Sequence, residues 1–105
     1  MRLVLLSRQH HLHSVRRLRE SARQRGHTLR VIDPLECTLS IGPSPTTTHS
    51  VENRAGTPRF RIYHDGREVR GTDCVIPRIS AALAGHGVAV VSQFEAMGVP
   101  VVNTF

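Results

Sequence analysis

The sequence contains no lysine and no tryptophan, and its only aromatic residues are Phe60, Tyr63, Phe94 and Phe105. All fourteen basic side chains are arginine. Without lysine the chain can hold no Walker-type phosphate-binding lysine, no Schiff base and no lysine general base. With so few aromatics, the core falls to Val, Leu, Ile and Ala. Long apolar runs are missing too. The amino-terminal stretch has only Leu3 to Leu6 in unbroken apolar sequence, well short of the roughly 7–15 residues of a signal peptide or the roughly 20 of a membrane span. A soluble, cytoplasmic chain with no membrane partner is therefore expected. Cys37 and Cys74 form no CxxC and sit among apolar neighbours, as buried thiols do.

What is present fits one domain. At 105 residues, a chain buries roughly 60–68% of its unfolded surface, with little to spare. The net charge of +6 permits an acidic partner such as RNA, although charge alone selects none.

Arg2-Leu3-Val4-Leu5-Leu6 has the continuous apolar pattern of a central parallel strand. After the polar loop Ser7 to His13, the three-to-four spacing of Leu12, Val15, Leu18 and Ala22 predicts a helix, with Ser14 as its cap and Gly26 as its stop. The opposite face carries Arg16, Arg17, Arg19, Arg23 and Arg25 against a single Glu20. Thr28 to Ile32 reads as the next strand, at a sheet edge because Arg30 stands in its middle, and Asp33-Pro34 ends it. Strand, helix and strand in this space make a right-handed βαβ unit.

The middle of the chain is less regular. Cys37 to Ile41 alternates as a half-buried strand does, and Pro43 to Ser50 is rich in Pro, Ser and Thr. Asp65-Gly66 is a strong two-residue hairpin signal that sets Ile62 opposite Val69 and Tyr63 opposite Glu68. Residues 43–72 thus read as an insertion containing an antiparallel hairpin. Asp73-Cys74-Val75-Ile76-Pro77-Arg78 returns to a buried strand, closed by a proline that has no N–H for the ladder. A second helix is predicted from about Val88 to Met97 with Gly98 as its stop, and Val99 to Val102 as a fourth strand. The chain then stops at Asn103-Thr104-Phe105 with no closing helix, the ending expected of a truncation.

The fold class is α/β: a Rossmann-like three-layer open parallel sheet of about four strands, in the order 2-1-3-4, with the hairpin inserted. That order reverses direction between the first and third strands, and ligands bind in open α/β sheets where the loops diverge at such a point. The two loops are Ser7-Arg8-Gln9 and Pro77-Arg78-Ile79, with Asp33 at the end of the second strand nearby. Paired guanidinium groups there suit a carboxylate or a phosphate. Several other chemistries lack their residues. No GxGxxG follows the first strand, and a phosphorylatable receiver would need acids where Ser7-Arg8 and Pro77-Arg78 stand. His10, His11 and His13 have no nearby cysteine or carboxylate to complete a zinc site, and Ser7 has no local base.

Taken in order, Leu6-Ser7-Arg8, Arg17-Leu18-Arg19-Glu20, Arg25-Gly26-His27, Asp33-Pro34-Leu35 with Cys37, Val75-Ile76-Pro77-Arg78-Ile79, Gln93-Phe94-Glu95 and Asn103 resemble the start of RimK-type ligases. These ATP-grasp enzymes add glutamate to the C-terminus of a small-subunit ribosomal protein. The resemblance covers nearly the whole chain and departs from the family pattern from about Pro43 to Arg70, which is longer here. It implies that residues 1–105 are a single pre-ATP-grasp domain and that the catalytic ATP-grasp domain, with its lysines and its ATP and Mg2+, lies outside them. The full enzyme would phosphorylate a carboxylate with ATP and let an amine displace the phosphate. In that setting Arg78 and Arg8, with Ser7 and Asp33, are the substrate-binding candidates, facing glutamate or the ribosomal protein's C-terminal peptide. No catalytic, cofactor or metal residue is assigned to this chain. The alternative is a free-standing module that contacts RNA or an acidic protein through its arginine-rich helix.

Overall fold

The computed structural model describes residues 1–8, 13–42, 59–78 and 84–102. In chain order the elements are β1 (Arg2–Leu6), α1 (His13–Gln24), β2 (Thr28–Ile32), a 3₁₀ turn (Pro34–Glu36), β3 (Cys37–Gly42), β4 (Arg59–His64), β5 (Arg67–Glu68), β6 (Cys74–Pro77) and α2 (Ala84–Ala96). The expectations placed on Gln9, His10, His11, Leu12, Ile79, the Pro43–Ser50 tract and the closing Asn103 lie outside the described residues.

β1 is the central strand. It pairs in parallel with β2 on one side and β6 on the other, giving the order β2-β1-β6. Because successive side chains leave a strand on opposite faces, Val4 and Leu6 enter one apolar cluster and Leu5 the other. A strand that feeds two cores must be apolar throughout, which is the pattern in its sequence. β2 is an edge strand, and its Arg30 is exposed.

Among the described residues the expected fourth strand is reduced to a bridge. Beyond β6 the chain makes one parallel bridge, Val75 to Val101, held by the Val75 N–H on the Pro100 carbonyl and the Val102 N–H on the Val75 carbonyl, both at 2.9 Å. Pro100 brings no N–H to extend that pairing. Among the described residues the parallel sheet is therefore three strands with a single bridge at its β6 edge.

α1 packs on one face of this sheet, where Val15 and Ala22 meet Leu5 and Leu29. Ser14 is not its cap: the helix already includes His13, so Ser14 lies inside the first turn. The helix ends as its glycine requires. Gly26 takes φ +81°, its N–H donates to the Arg23 carbonyl, and the His27 N–H reaches back to Ala22. This is a Schellman closure, and the left-handed residue that it needs costs a glycine little. α2 closes the same way at Gly98. α2 begins about one turn earlier than its sequence suggests, despite Gly85 and Gly87. Docking of Val90, Val91 and Phe94 into the core outweighs the weak helix propensity of glycine.

The antiparallel part is larger than a hairpin. β3 pairs with β4 along its whole length, from Cys37 opposite His64 to Gly42 opposite Arg59, so the sheet has the order β3-β4-β5. The Asp65-Gly66 turn has φ +53° and +81°, the two positive values of a type I′ turn. Tyr63 faces Glu68, and the Val69 N–H donates to the Ile62 carbonyl at 2.8 Å, in the register read from the sequence. This sheet and α2 cover the second face of the parallel sheet, where Cys37, Ile62 and Val69 join Val4, Leu6, Ile32, Val75 and Phe94 in one core. Gln93 bolts the two together. It is buried, and its amide donates to the carbonyls of Ser40 at 3.0 Å and Arg61 at 3.3 Å.

Candidate functional site

The carboxyl end of the parallel sheet gathers the residues singled out in the sequence. Leu6 is fully buried, opposite Ile32 on one side and Pro77 on the other. Just past it, the Ser7 N–H donates to the Ile32 carbonyl at 3.0 Å, and the Arg78 N–H donates to the Leu6 carbonyl at 2.8 Å. Ser7 is itself buried. These two bonds fix where Arg8 and Arg78 leave the sheet, one from β1 and one from the neighbouring β6. Both arginines are exposed.

Their partners differ. The Arg8 Nε lies 3.5 Å from an Asp33 carboxylate oxygen, with the arginine half exposed and the aspartate mostly covered. An exposed ion pair of this kind contributes at most about 1 kcal/mol, so Arg8 can exchange Asp33 for another anion at little cost. Arg78 has no carboxylate partner among the described residues. Its guanidinium donates a long 3.5 Å bond to the Ser14 hydroxyl in the first turn of α1.

Asp33 is more heavily engaged than its sequence context suggests. One carboxylate oxygen accepts the Leu35 N–H at 2.9 Å and caps the 3₁₀ turn. Its carbonyl accepts the Glu36 N–H at 3.0 Å and the Cys37 thiol at 3.5 Å. Its own N–H donates to His64 Nε2 at 3.3 Å. Asp33 is thus first an architectural residue that also holds Arg8. His64 was not marked by the sequence. Its place beside Asp33 follows from the β3–β4 pairing, and only the weak signal of an alternating Cys37–Ile41 strand hinted at that partner. The Ser14 hydroxyl likewise meets Arg78 instead of capping its helix.

An open groove of about 480 Å³ extends from this edge, lined by Arg19, Val31, Asp33, Glu36, His64 and Asp65. Its walls come from α1, β2 and the turn of the antiparallel sheet, so the inserted unit shapes the approach to Asp33. Beside it, burial and then the Asp33 carboxylate push the Cys37 thiol up to about 11; Arg30 pulls the other way and Glu36 adds to the rise. A buried thiol held protonated is no nucleophile. Among the described residues no three His, Cys, Asp or Glu side chains form a metal-holding group. The edge offers guanidinium groups, and guanidinium groups bind carboxylates and phosphates.

The sequence model of the RimK PreATP-grasp domain matches residues 1–104. The chain belongs to this family. Among its relatives, the pre-ATP-grasp chain is 43% identical over 98 residues to a probable alpha-L-glutamate ligase of Stenotrophomonas maltophilia (strain K279a), covering 93% of this chain and 29% of the relative. It is 42% identical over 103 residues to a probable alpha-L-glutamate ligase of Thioalkalivibrio sulfidiphilus (strain HL-EbGR7), covering 98% of this chain and 30% of the relative. The chain therefore spans less than a third of the length of these relatives. Among solved structures, the ATP-grasp ligase PsnB with a minimal precursor superposes with a TM-score of 0.56 at 22% identity, over 97% of this chain and 36% of that one. The same ligase with minimal precursor, Mg and ADP gives 0.54 at 20% identity, over 97% and 37%. These likenesses show that the pre-ATP-grasp fold described above is shared with an ATP-grasp ligase. Among the described residues no helix is long and apolar enough to cross a membrane.

Proposed function

We propose that this pre-ATP-grasp domain is one wall of the substrate cleft in a cytoplasmic, ATP-dependent carboxylate–amine ligase that adds glutamate to the C-terminus of a ribosomal protein. In that reaction ATP phosphorylates the acceptor's carboxylate, the amine of glutamate attacks the acyl phosphate, and phosphate leaves as the amide forms. The arginine pair at the carboxyl edge, in a chain of this family, is the observation that carries the reading. Arg78 orients a carboxylate of glutamate or of the acceptor peptide. Arg8, released from Asp33, takes a second one, and the backbone bonds of Ser7 and Arg78 keep the two arginines on adjacent strand ends.

The residues of this chain do not fit ATP or Mg2+. No Walker-type lysine and glycine-rich loop is present to cradle a nucleotide's phosphates, and the Asp33 carboxylate already caps a turn and pairs with Arg8. ATP and Mg2+ belong to the rest of the ligase.

The test is Arg78→Ala in the intact ligase. Losing a charge-assisted bond of about 1.5–3 kcal/mol should raise KM for glutamate or acceptor roughly tenfold or more while kcat changes less. If KM and kcat both stay at the wild-type values, Arg78 has no such role. A second reading draws on α1, whose Arg16, Arg17, Arg19 and Arg23 are exposed and make no ion pair among the described residues. Such a face suits contact with an RNA backbone.

A further inference from the structure

Three arginines converge at the end of the parallel sheet away from the candidate substrate edge. Arg2, Arg30 and Arg70 line one cleft of about 150 Å³, together with Thr28, Thr72 and the apolar Leu3, Val4 and Val69. It lies at the amino ends of β1 and β2, where the two sheets meet. Five-residue strands put it ~13 Å from the Arg8–Asp33 end. No carboxylate lines this cleft. Neither Arg2 nor Arg30 makes a side-chain ion pair among the described residues. Arg70 has only a loose one, 3.8 Å from Glu68 and largely exposed. Asp73, the nearest acid in sequence, spends a carboxylate oxygen on the backbone N–H of Arg2 at 2.7 Å.

The backbone makes room for this arrangement. A Cβ on Gly71 would stand 2.6 Å from the Arg2 Nη1, and Gly71 holds φ +69°, a conformation that other residues rarely adopt. The chain thus turns through a glycine where the Arg2 guanidinium lies against it. Three permanently charged groups, of which only Arg70 has a side-chain ion pair and that a loose one, repel one another, and a bound anion would relieve that repulsion.

We propose that this cleft binds a phosphate group. Guanidinium groups accept carboxylates as well, but three of them match the higher charge of a phosphate, and the two threonine hydroxyls add donors for its remaining oxygens. The volume suits a single phosphate. The phosphate can come as the free ion or as part of an RNA backbone. The proposal does not depend on the ligase reading, which rests on the other end of the sheet.

The experiment is an amide NMR titration of the chain with inorganic phosphate against chloride at constant ionic strength. Saturable shifts are expected at the Thr28, Arg30 and Thr72 amides. Arg2→Gln/Arg30→Gln should weaken the response at least tenfold, and Gly71→Ala, which displaces the Arg2 guanidinium, should weaken it in part; the same spectra report whether each variant is folded. Arg59→Gln/Arg67→Gln, two exposed arginines that do not line the cleft, should leave the response unchanged. A double cleft variant that titrates like the wild type, or an Arg59/Arg67 variant that loses the response, would overturn the proposal. In a parallel arm with a short single-stranded RNA, shifts at the same amides at lower concentration than phosphate support the site and identify the backbone as its source. Shifts with phosphate alone support it with the free ion as ligand, and shifts with neither overturn it.

Discussion

Gln93 offers the sharpest test of how α2 is joined to the antiparallel sheet. Its side chain is buried and donates to the carbonyls of Ser40 and Arg61, which face each other across the β3–β4 ladder. Gln93→Met keeps the volume and removes both bonds. At about 0.5–1.5 kcal/mol each, the loss should be roughly 1–2 kcal/mol, since carbonyls with a remaining ladder bond are not orphaned outright. Gln93→Ala adds a cavity beside Phe94 and should cost roughly 2–4 kcal/mol. A chain of this size has only about 5–15 kcal/mol in total, so either change is measurable. The assay is urea unfolding followed by circular dichroism. With a slope of roughly 1–3 kcal/mol/M, Gln93→Met should lower the midpoint by roughly 0.3–2 M with the slope unchanged. If Gln93→Met and Gln93→Ala both fall within about 0.5 kcal/mol of wild type, the bolt between α2 and the antiparallel sheet is not a determinant of the fold. A wild-type protein that unfolds in two separate transitions would refute the single core across both sheets.

Two further outcomes are expected. The Cys37 thiol ionises near 9.0 when unfolded and near 11 when folded, so between those values the unfolded chain binds fewer protons, and stability that is complete below pH 9 falls as pH rises towards 11. No lysine titrates in that window, which makes the slope readable; Cys37→Ala should flatten it, and equal slopes in the two proteins would refute the assignment. At Asp33, Asn keeps the cap on the Leu35 N–H but loses the charge facing Arg8. Asp33→Asn should therefore cost less than about 1 kcal/mol and Asp33→Ala about 1–2 kcal/mol in urea unfolding; equal losses would mean that the ion pair, not the cap, is what stabilises this corner.

The local parts of the fold were legible because they depend on neighbouring residues. Asp65-Gly66 specified a turn with two positive φ values, and the Ile62–Val69 register followed from it. Gly26 and Gly98 marked two Schellman closures, and the unbroken apolar run of β1 announced a strand buried on both faces. Pro77 does end β6, but its missing N–H breaks no bond to β1, since Pro77 still pairs with Leu6 and the Arg78 N–H donates to the Leu6 carbonyl. Where the sequence misled, a distant contact decided. Val99 to Val102 has the composition of a strand, yet forms a single bridge to Val75. Ser14 has the composition of a cap, yet lies within its helix.

By itself, then, the sequence determined the βαβ unit, the hairpin register and the presence of arginines at the carboxyl edge, since each follows from spacing or turn chemistry within a short stretch. Tertiary structure alone decided that β3 pairs with β4, because residues 43–58 separate them and no local pattern spans such a gap. From that one pairing came His64 beneath Asp33, the groove beside it and the polar bond of Gln93. It also decided that Arg8 is paired while Arg78 has no carboxylate partner among the described residues, and that Arg2, Arg30 and Arg70 share one cleft. Charges far apart in sequence acquire partners, or go without them, only when the chain has brought them together.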